Sequence, residues 1–267
     1  MLMWHNGFIG PALRDYPSDV KNNITQYSLG MAQSASSGTG LIAYNPGHNQ
    51  AEHAADIRAL VASGKDVIIG IGGSGSGGIY VTNTTQAQQM IDSINGIVST
   101  YGINGIDIDL EPGSSDWNNE ALGQVCTSLR STHGSSFVIS VTTSLYSPHD
   151  AKWMSFLSYL GHDNYTQTGP MLYDFPESQD SRLTGVTLDK AQYMANSGVP
   201  DNKMMFGYML QPSAGYNASP NVGVINDAFN AVKAARPNVK GAFFWVDDID
   251  MARNWEWARG AHTSIMS

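Results

Sequence analysis

Three features of the 267-residue sequence predict an α/β protein folded as a single-domain (β/α)8 TIM barrel. Short apolar runs rich in β-branched and aromatic residues alternate with longer stretches of helical period, which implies right-handed βαβ units and a parallel sheet. Eight such runs occur, and eight units in about 250 residues is the size of this barrel. No linker, composition break or repeat divides the chain, so one domain over residues 1–267 is expected.

The elements follow in order. MLMWHN (1–6) is the first candidate strand. PALRDYPSDVKNN connects it to ITQYSLGMA (24–32) and is the least convincing helix of the set. AEHAADIRALVASG (51–64) keeps Ala54, Ile57, Ala59, Leu60 and Val61 near one side, and Gly64 supplies a stop. DVIIGIGG (66–73) is the third strand, and the glycine-rich GIGGSGSGG (70–78) leads into a loop at the barrel mouth. TTQAQQMIDSINGIVSTYG (84–102) places Met90, Ile91, Ile94, Ile97 and Val98 on one stripe. INGIDIDLE (103–111), FVISVTT (137–143), TGPMLYDF (168–175), MMFGYMLQ (204–211) and KGAFFWVDD (240–248) complete the strands. Helical patterns at 118–134 and 188–198 end at glycine, 222–237 stops at a proline, and 254–266 closes the chain. An open doubly wound sheet is the alternative. It would usually carry its glycine-rich phosphate turn after the first strand, whereas here that turn follows the third.

Composition narrows the function classes. Charged residues are 14% of the chain and the net charge is −9. No basic run offers a footprint for nucleic acid or an anionic membrane. No stretch is long and apolar enough to span a bilayer. Cys126, the one cysteine, sits in an apolar helical pattern and reads as a core thiol. The polarity carried by Ser, Thr, Asn and Gly is common in exported enzymes. MLMWHNGF is not a signal peptide, so the extracellular setting expected for this chain would need a leader outside the sequence read here.

The segment GINGIDIDLEP (102–112) carries the chemistry. Alternate residues of a strand share a face. Ile106, Ile108 and Leu110 therefore point one way, and Asp107, Asp109 and Glu111 the other. The outer face of a barrel strand packs on helices and must be apolar, so the carboxylates point inward. Successive ones lie about 6.6 Å apart along the strand. Glu111 is at the C-terminal end, where barrels of this class do their chemistry. Pro112 stops the ladder. Burial and mutual repulsion both raise carboxyl pKa values, so at least one group should hold its proton near neutral pH, as a general acid requires. A divalent metal on the ladder is the competing reading. It lacks a clear His or Asp partner at the other strand ends, and no metal or cofactor is expected.

NGIDIDLE (104–111) resembles the DGxDxDxE signature of glycoside hydrolase family 18, the chitinases and endo-β-N-acetylglucosaminidases. Further segments agree in family order. GIGG (70–73) is similar to the family's SxGG, MLYD (171–174) to its MxYD, GAFFW (241–245) to the eighth-strand segment ending in tryptophan, and WHN (4–6) to the aromatic opening of the first strand. The resemblance implies substrate-assisted retention, outside the usual two-carboxylate scheme. Glu111 would then protonate the glycosidic oxygen and later activate water. Asp109 would orient the substrate's N-acetyl group, Asp107 would share a proton with Asp109, and Tyr173 would donate to the acetamido group. Met171 and Asp174 would line the same subsite, with Trp245 as the floor under the sugar; Trp4, in the aromatic opening of the first strand, and Tyr208, from its place at a strand end near the rim, are added as candidate substrate contacts. Three positions depart from the pattern: Asn104 replaces the first Asp, Leu110 stands where an aromatic is frequent, and Gly70 removes a serine hydroxyl near Asp107.

About 28 residues, Pro212 to Val239, separate the last two strands. They leave no room for the α+β insertion of one chitinase subgroup, so an open, shallow cleft is expected. Tyr146, Tyr208 and Trp117 follow or end strands near the active rim and read equally as subsite or packing residues. Trp255 and Trp257 read as packing, and His5 as a satisfied polar neighbour of the core. Asp247, Asp248 and Asp250 read as a solvated loop in preference to a cation site. The leading function is endo-hydrolysis of β-1,4-linked N-acetylglucosamine polymers by a monomer acting on chitin or its oligosaccharides. The alternatives are an endo-β-N-acetylglucosaminidase on N-glycan cores and a non-catalytic chitin-binding barrel. Retention of Glu111 argues against the last.

Overall fold

A computed structural model describes residues 1–75, 77–111, 115–146, 149–173, 182–209, 221–260 and 265. Eight parallel strands form the wall: β1 (Leu2–Asn6), β2 (Gln26–Ser34), β3 (Asp66–Gly72), β4 (Gly105–Asp109), β5 (Val138–Thr143), β6 (Gln167–Pro170), β7 (Met205–Tyr208) and β8 (Gly241–Phe244). Each of β1 to β5 pairs with the next in sequence, β5 pairs with β6, β7 with β8, and β8 with β1. Parallel bridges Thr168–Met204 and Met171–Gly207 join β6 to β7, so the sheet closes on itself. The two bridges set the edges of β6 and β7 against each other.

The strand alternation sorts residues as the sequence predicts. Ile106 and Ile108 of β4, and Leu110 just after it, lie in the outer apolar belt with Ile69 and Ile71 of β3 and Ile139 and Val141 of β5. A smaller cluster fills the interior and includes Leu2, Trp4, Ile68, Val138, Met171 and Phe243. Gly105 is required by this packing. A Cβ there would stand 2.5 Å from the Val138 Cβ and 2.7 Å from Ile68 Cγ2.

The helices cover the outside. They are α1 (Ser18–Asn23), α2 (Gln50–Ala62), α3 (Thr84–Tyr101), α4 (Asn119–His133), α5 (His149–Leu160), α6 (Leu183–Asn196), α7 (Val222–Ala235), α8 (Asp247–Ala252) and α9 (Glu256–Gly260). Asn83 caps α3 by accepting the Gln86 N–H, a bond whose loss typically costs about 1 kcal/mol. Gly102 ends the same helix in the left-handed region at φ 78°. Helix α5 has no counterpart among the expected elements. Trp153, Met154, Phe156, Leu157 and Leu160 are all buried, and Trp153, Phe156, Leu157 and Leu160 keep the i, i+3, i+4, i+7 spacing of one helix face. The first connection is helical only in a short turn at Leu13–Asp15 and in α1. Within the expected helix at 254–266 the described residues include α9, and residues 261–264 and 266 lie outside the described residues; the separate short helix α8 precedes it.

The chain after β8 corrects a second expectation. Asp247 and Asp250 are fully buried and are not part of a solvated loop. Asp247 accepts from His5 Nδ1 at 2.8 Å, from the Asn6 N–H at 2.7 Å and from the Tyr16 hydroxyl. Asp250 accepts the Trp257 and Ala258 N–H groups at 2.7 and 3.0 Å, which satisfies the free start of α9. These carboxylates tie the end of β8 to β1 and to the last helix. Trp257 stacks on Phe244 at 4.6 Å, and Trp255 packs on Tyr16 at 4.6 Å, as expected of packing residues. Cys126 is buried, and burial pushes its thiol up to about 12. Among the described residues no helix is long and apolar enough to cross a membrane.

Candidate active site

The C-terminal ends of β3, β4 and β5 build the floor of the site. Register pairs Gly70 of β3 and Ser140 of β5 with Asp107, and Gly72 with Asp109. Gly72 and Gly73 have φ of 116° and 77°. A Cβ on Gly72 would stand 2.2 Å from the Asp109 carbonyl oxygen, and the Gly73 N–H donates to that oxygen at 2.8 Å. The glycine pair therefore lets β3 run against the ladder at its catalytic end. Asp107 and Asp109 are buried, and Glu111 is half-buried at the mouth.

Asp107 is the deepest carboxyl of the three, 1% exposed. Thr142 Oγ1 donates to its Oδ2 at 2.8 Å. Burial raises Asp107 to about 6, and the Ser140 and Thr142 hydroxyls oppose that rise. The Ser140 hydroxyl pulls the same way as Thr142 without the alignment of a normal hydrogen bond, since Asp107 Oδ1 has no partner of that geometry among the described residues. Burial thus moves Asp107 toward the neutral range in the direction expected for a carboxyl inside the barrel, next to a second acid.

Across the barrel, Trp245 directly follows β8. It is half-buried, and its N–H donates to the Tyr208 carbonyl at 3.0 Å. Its ring meets Trp4 edge-on, with centroids 5.4 Å apart and planes at 61°. Met171 is buried in the interior cluster, and Tyr173 packs against the same cluster while half-exposed. Asp107, Asp109, Glu111, Met171, Tyr173 and Trp245 thus all belong to the inner wall or its upper rim. Asp174 and Pro112 lie outside the described residues. A cleft of roughly 370 Å³ opens on the β1–β2 side and is lined by Phe8, Met31, Gln33, Ser34 and Asn45.

Two expected substrate contacts are corrected. Tyr208 points outward. It lies in the outer belt with its hydroxyl 3.5 Å from Thr187 of α6, because on β7 it is one step out of phase with the inward-facing Met205 and Gly207. Trp4 faces inward but is 2% exposed, so it supports Trp245 from beneath and presents no surface of its own. Trp117 is also buried, against Trp153 at 4.4 Å, with Lys152 Nζ 3.8 Å from its ring centroid. Tyr146 remains at the surface, 36% exposed.

The departures from the signature acquire reasons. Asn104 is at the opposite, N-terminal end of β4. Its Oδ1 accepts the Val67 N–H at 2.7 Å and its Nδ2 donates to Asp66 Oδ1 at 3.2 Å, so an amide suits the place where a second carboxylate would repel Asp66. Gly70 leaves space for the Trp4 ring, since a Cβ there would stand 2.2 Å from Trp4 Cζ3. Residue-level reading missed Thr142 and Ser140. Their signal was the alternation of hydroxyls with Ile139 and Val141 in FVISVTT, which on a barrel strand puts both hydroxyls inside.

Comparison with known proteins accords with this arrangement. Chitinase Chi52 of Paenibacillus xylanexedens is 37% identical over 116 residues, which are 43% of this chain and 22% of that protein. The chain therefore matches about a fifth of that relative's length. Among solved structures, a family GH18 chitinase from Chromobacterium violaceum superposes with a TM-score of 0.80 at 19% identity, covering 100% of this chain and 83% of that one. A fungal endo-β-N-acetylglucosaminidase of glycosyl hydrolase family 18 gives 0.75 at 13% identity, covering 99% and 97%. At these identities the structural likeness is one of fold. The family model described as glycosyl hydrolases family 18 matches residues 21–219, about three quarters of the chain and the whole carboxylate ladder, and the chain belongs to that family.

Proposed function

We propose that this chain is a chitinase that hydrolyses β-1,4-linked N-acetylglucosamine polymers internally, with retention of configuration. The observation that carries the reading is the inward ladder Asp107, Asp109, Glu111 at the catalytic end of β4, facing an upper rim that includes Tyr173 and Trp245. Glu111 protonates the glycosidic oxygen as the bond from that oxygen to the anomeric carbon breaks. The carbonyl oxygen of the substrate's own acetamido group bonds to the anomeric carbon from the opposite face and gives an oxazolinium ion. Glu111, now a carboxylate, takes a proton from the water that reopens that ring. Asp109, with Asp107 behind it, holds the acetamido group and offsets the positive charge, and Tyr173 donates to the same group. Trp245 supplies the flat apolar surface that suits the C–H face of a pyranose. No step uses a metal.

The cleft beside Met31 offers room for further sugar units, which supports a polymer substrate in preference to a single sugar. An extracellular setting accords with that substrate, and a monomer suffices because the inner wall of one barrel carries the whole proposed constellation. Product analysis on N-acetylglucosamine oligomers, run beside a high-mannose glycopeptide, tests the reading. Short oligomers from internal cuts are expected. Cleavage of the glycopeptide alone would replace chitin with N-glycan cores, and no turnover of either would leave a sugar-binding barrel.

A further inference from the structure

Gly70 removes from β3 the side chain that the family's serine would direct toward Asp107. The space is not refillable from that side, because the Trp4 ring occupies it. The opposite neighbour of Asp107 is β5, and there Thr142 Oγ1 donates to Asp107 Oδ2 at 2.8 Å. Both groups are buried, so the bond is shielded from water, where a charge-assisted hydrogen bond is worth most. Ser140 stands in register beside Asp107 on the same strand. Ser140 in turn accepts from Gln167 Nε2 at 3.3 Å, and Gln167 Nε2 also donates to Gln26 Oε1 at 3.0 Å, so the hydroxyl face of β5 is braced from β6 and β2.

We propose that Thr142 is a positioning residue for the reaction, fixing the rotamer and the charge of Asp107 from β5 in place of the β3 hydroxyl that this chain lacks.

The inference rests on the proposed chemistry, in which Asp107 and Asp109 share one proton. Around Asp107, β3 contributes Gly70 and Ile68, β5 contributes Ser140 and Thr142, and β1 contributes the Trp4 ring. Among the described residues the titratable groups on the wall are Asp109 of its own strand, Glu111 just beyond it and Tyr173 beyond β6. Burial raises Asp107, and the hydroxyls of β5 are the opposing influence. Without the Thr142 donor the neutral form gains, and the pair takes up its second proton at a higher pH. The protonated pair no longer offsets the developing positive charge, so the acid limb of the kcat profile moves upward. The alkaline limb reports loss of the proton from Glu111, which Thr142 does not touch.

Thr142→Val keeps shape and volume and removes only the donor. The expected result is an acid limb about one pH unit higher, the size of one hydrogen bond to a charged group, with the alkaline limb in place. Thr142→Ser should restore the parent limb. The carboxyl carbon of Asp107, followed by NMR through a pH titration of each protein, should move by the same amount, and this readout needs no turnover. If the parent cleaves no N-acetylglucosamine oligomer, the proposed function fails and the carbon titration still decides the inference. An Asp107 titration unmoved in Thr142→Val, or a rate loss equal at every pH, would overturn it. Should Val distort the strand, as a lowered melting point would reveal, Thr142→Ala removes the same donor without the branched methyls and must give the same shift.

Discussion

Restoring the family's serine at Gly70 should harm this protein. The ideal Cβ at that position stands 2.2 Å from Trp4 Cζ3 and 2.5 Å from Cη2. Carbon atoms in good contact are about 3.5–4.0 Å apart, so the indole must retreat by more than about 1 Å. Trp4 is 2% exposed among interior side chains. The neighbour with room to yield is the half-buried Trp245, which Trp4 meets at 5.4 Å. Overpacking of this kind costs about 1–3 kcal/mol. For a chain of this size each kcal/mol moves the melting point by roughly 2–4 °C, so Gly70→Ser should melt about 2–12 °C lower. KM should rise several-fold because the floor under the sugar tilts. Trp4→Phe lacks the six-membered edge that collides, so the Trp4→Phe, Gly70→Ser double variant should recover part of both losses. The two changes are then coupled in a double-mutant cycle. Calorimetry and chitooligosaccharide kinetics read the two effects. A Gly70→Ser protein that melts within about 1 °C of the parent with unchanged KM would refute the Trp4–Gly70 contact as described.

Three other outcomes follow from the site. Glu111→Gln should keep the fold and lose about 10² to 10⁴ in kcat, because the amide has no carboxyl proton to give; a variant within tenfold of the parent sinks the acid assignment. Asp109→Asn and Tyr173→Phe should each lower kcat more than they raise KM, since both act on charge that develops in the transition state; a change in KM alone makes either a simple binding residue. Burial raises Asp107 to about 6, above its ordinary 3.8, so the folded state binds that proton more tightly than the unfolded chain. Stability contributed by that proton is therefore lost as pH climbs from about 4 to about 6. Asp107→Asn should gain on the parent in melts above pH 6 and lose the gain near pH 4, whereas a gain of equal size at both pH values would contradict the buried, protonatable Asp107.

The barrel was legible because β-strand alternation and helical period are both strong where one face of each element is buried. INGIDIDLE and FVISVTT sort inside from outside by parity alone. What escaped the sequence was set by contacts between distant elements. Tyr208 ends a strand at the active end, and only the phase of β7 within the closed barrel sends it outward toward Thr187. Asp247 and Asp250 look like a solvated turn until His5, Tyr16 and the start of α9 are brought against them. Helix α5 was legible in the i, i+3, i+4, i+7 spacing of Trp153, Phe156, Leu157 and Leu160, and was overlooked. Within the site, the carboxylate ladder was readable residue by residue. The exchange of support for Asp107 from β3 to β5 was not, since it depends on Trp4 filling the space above Gly70.

The central claim is that the substrate supplies its own nucleophile, and the configuration of the first product tests it most directly. Asp109 ends β4 two residues before Glu111, and strand alternation carried on through Leu110 puts both on one side, so Asp109 cannot reach the far side of the sugar that a second carboxylate of a conventional retaining enzyme would occupy. Two displacements, the first by the acetamido oxygen and the second by water, leave the β-anomer. Proton NMR of fresh N-acetylglucosamine oligomer digests, read before mutarotation, should show the new reducing ends as β. An initial α-anomer would mean inversion by a single attack of water, and the substrate-assisted account of this site would be wrong.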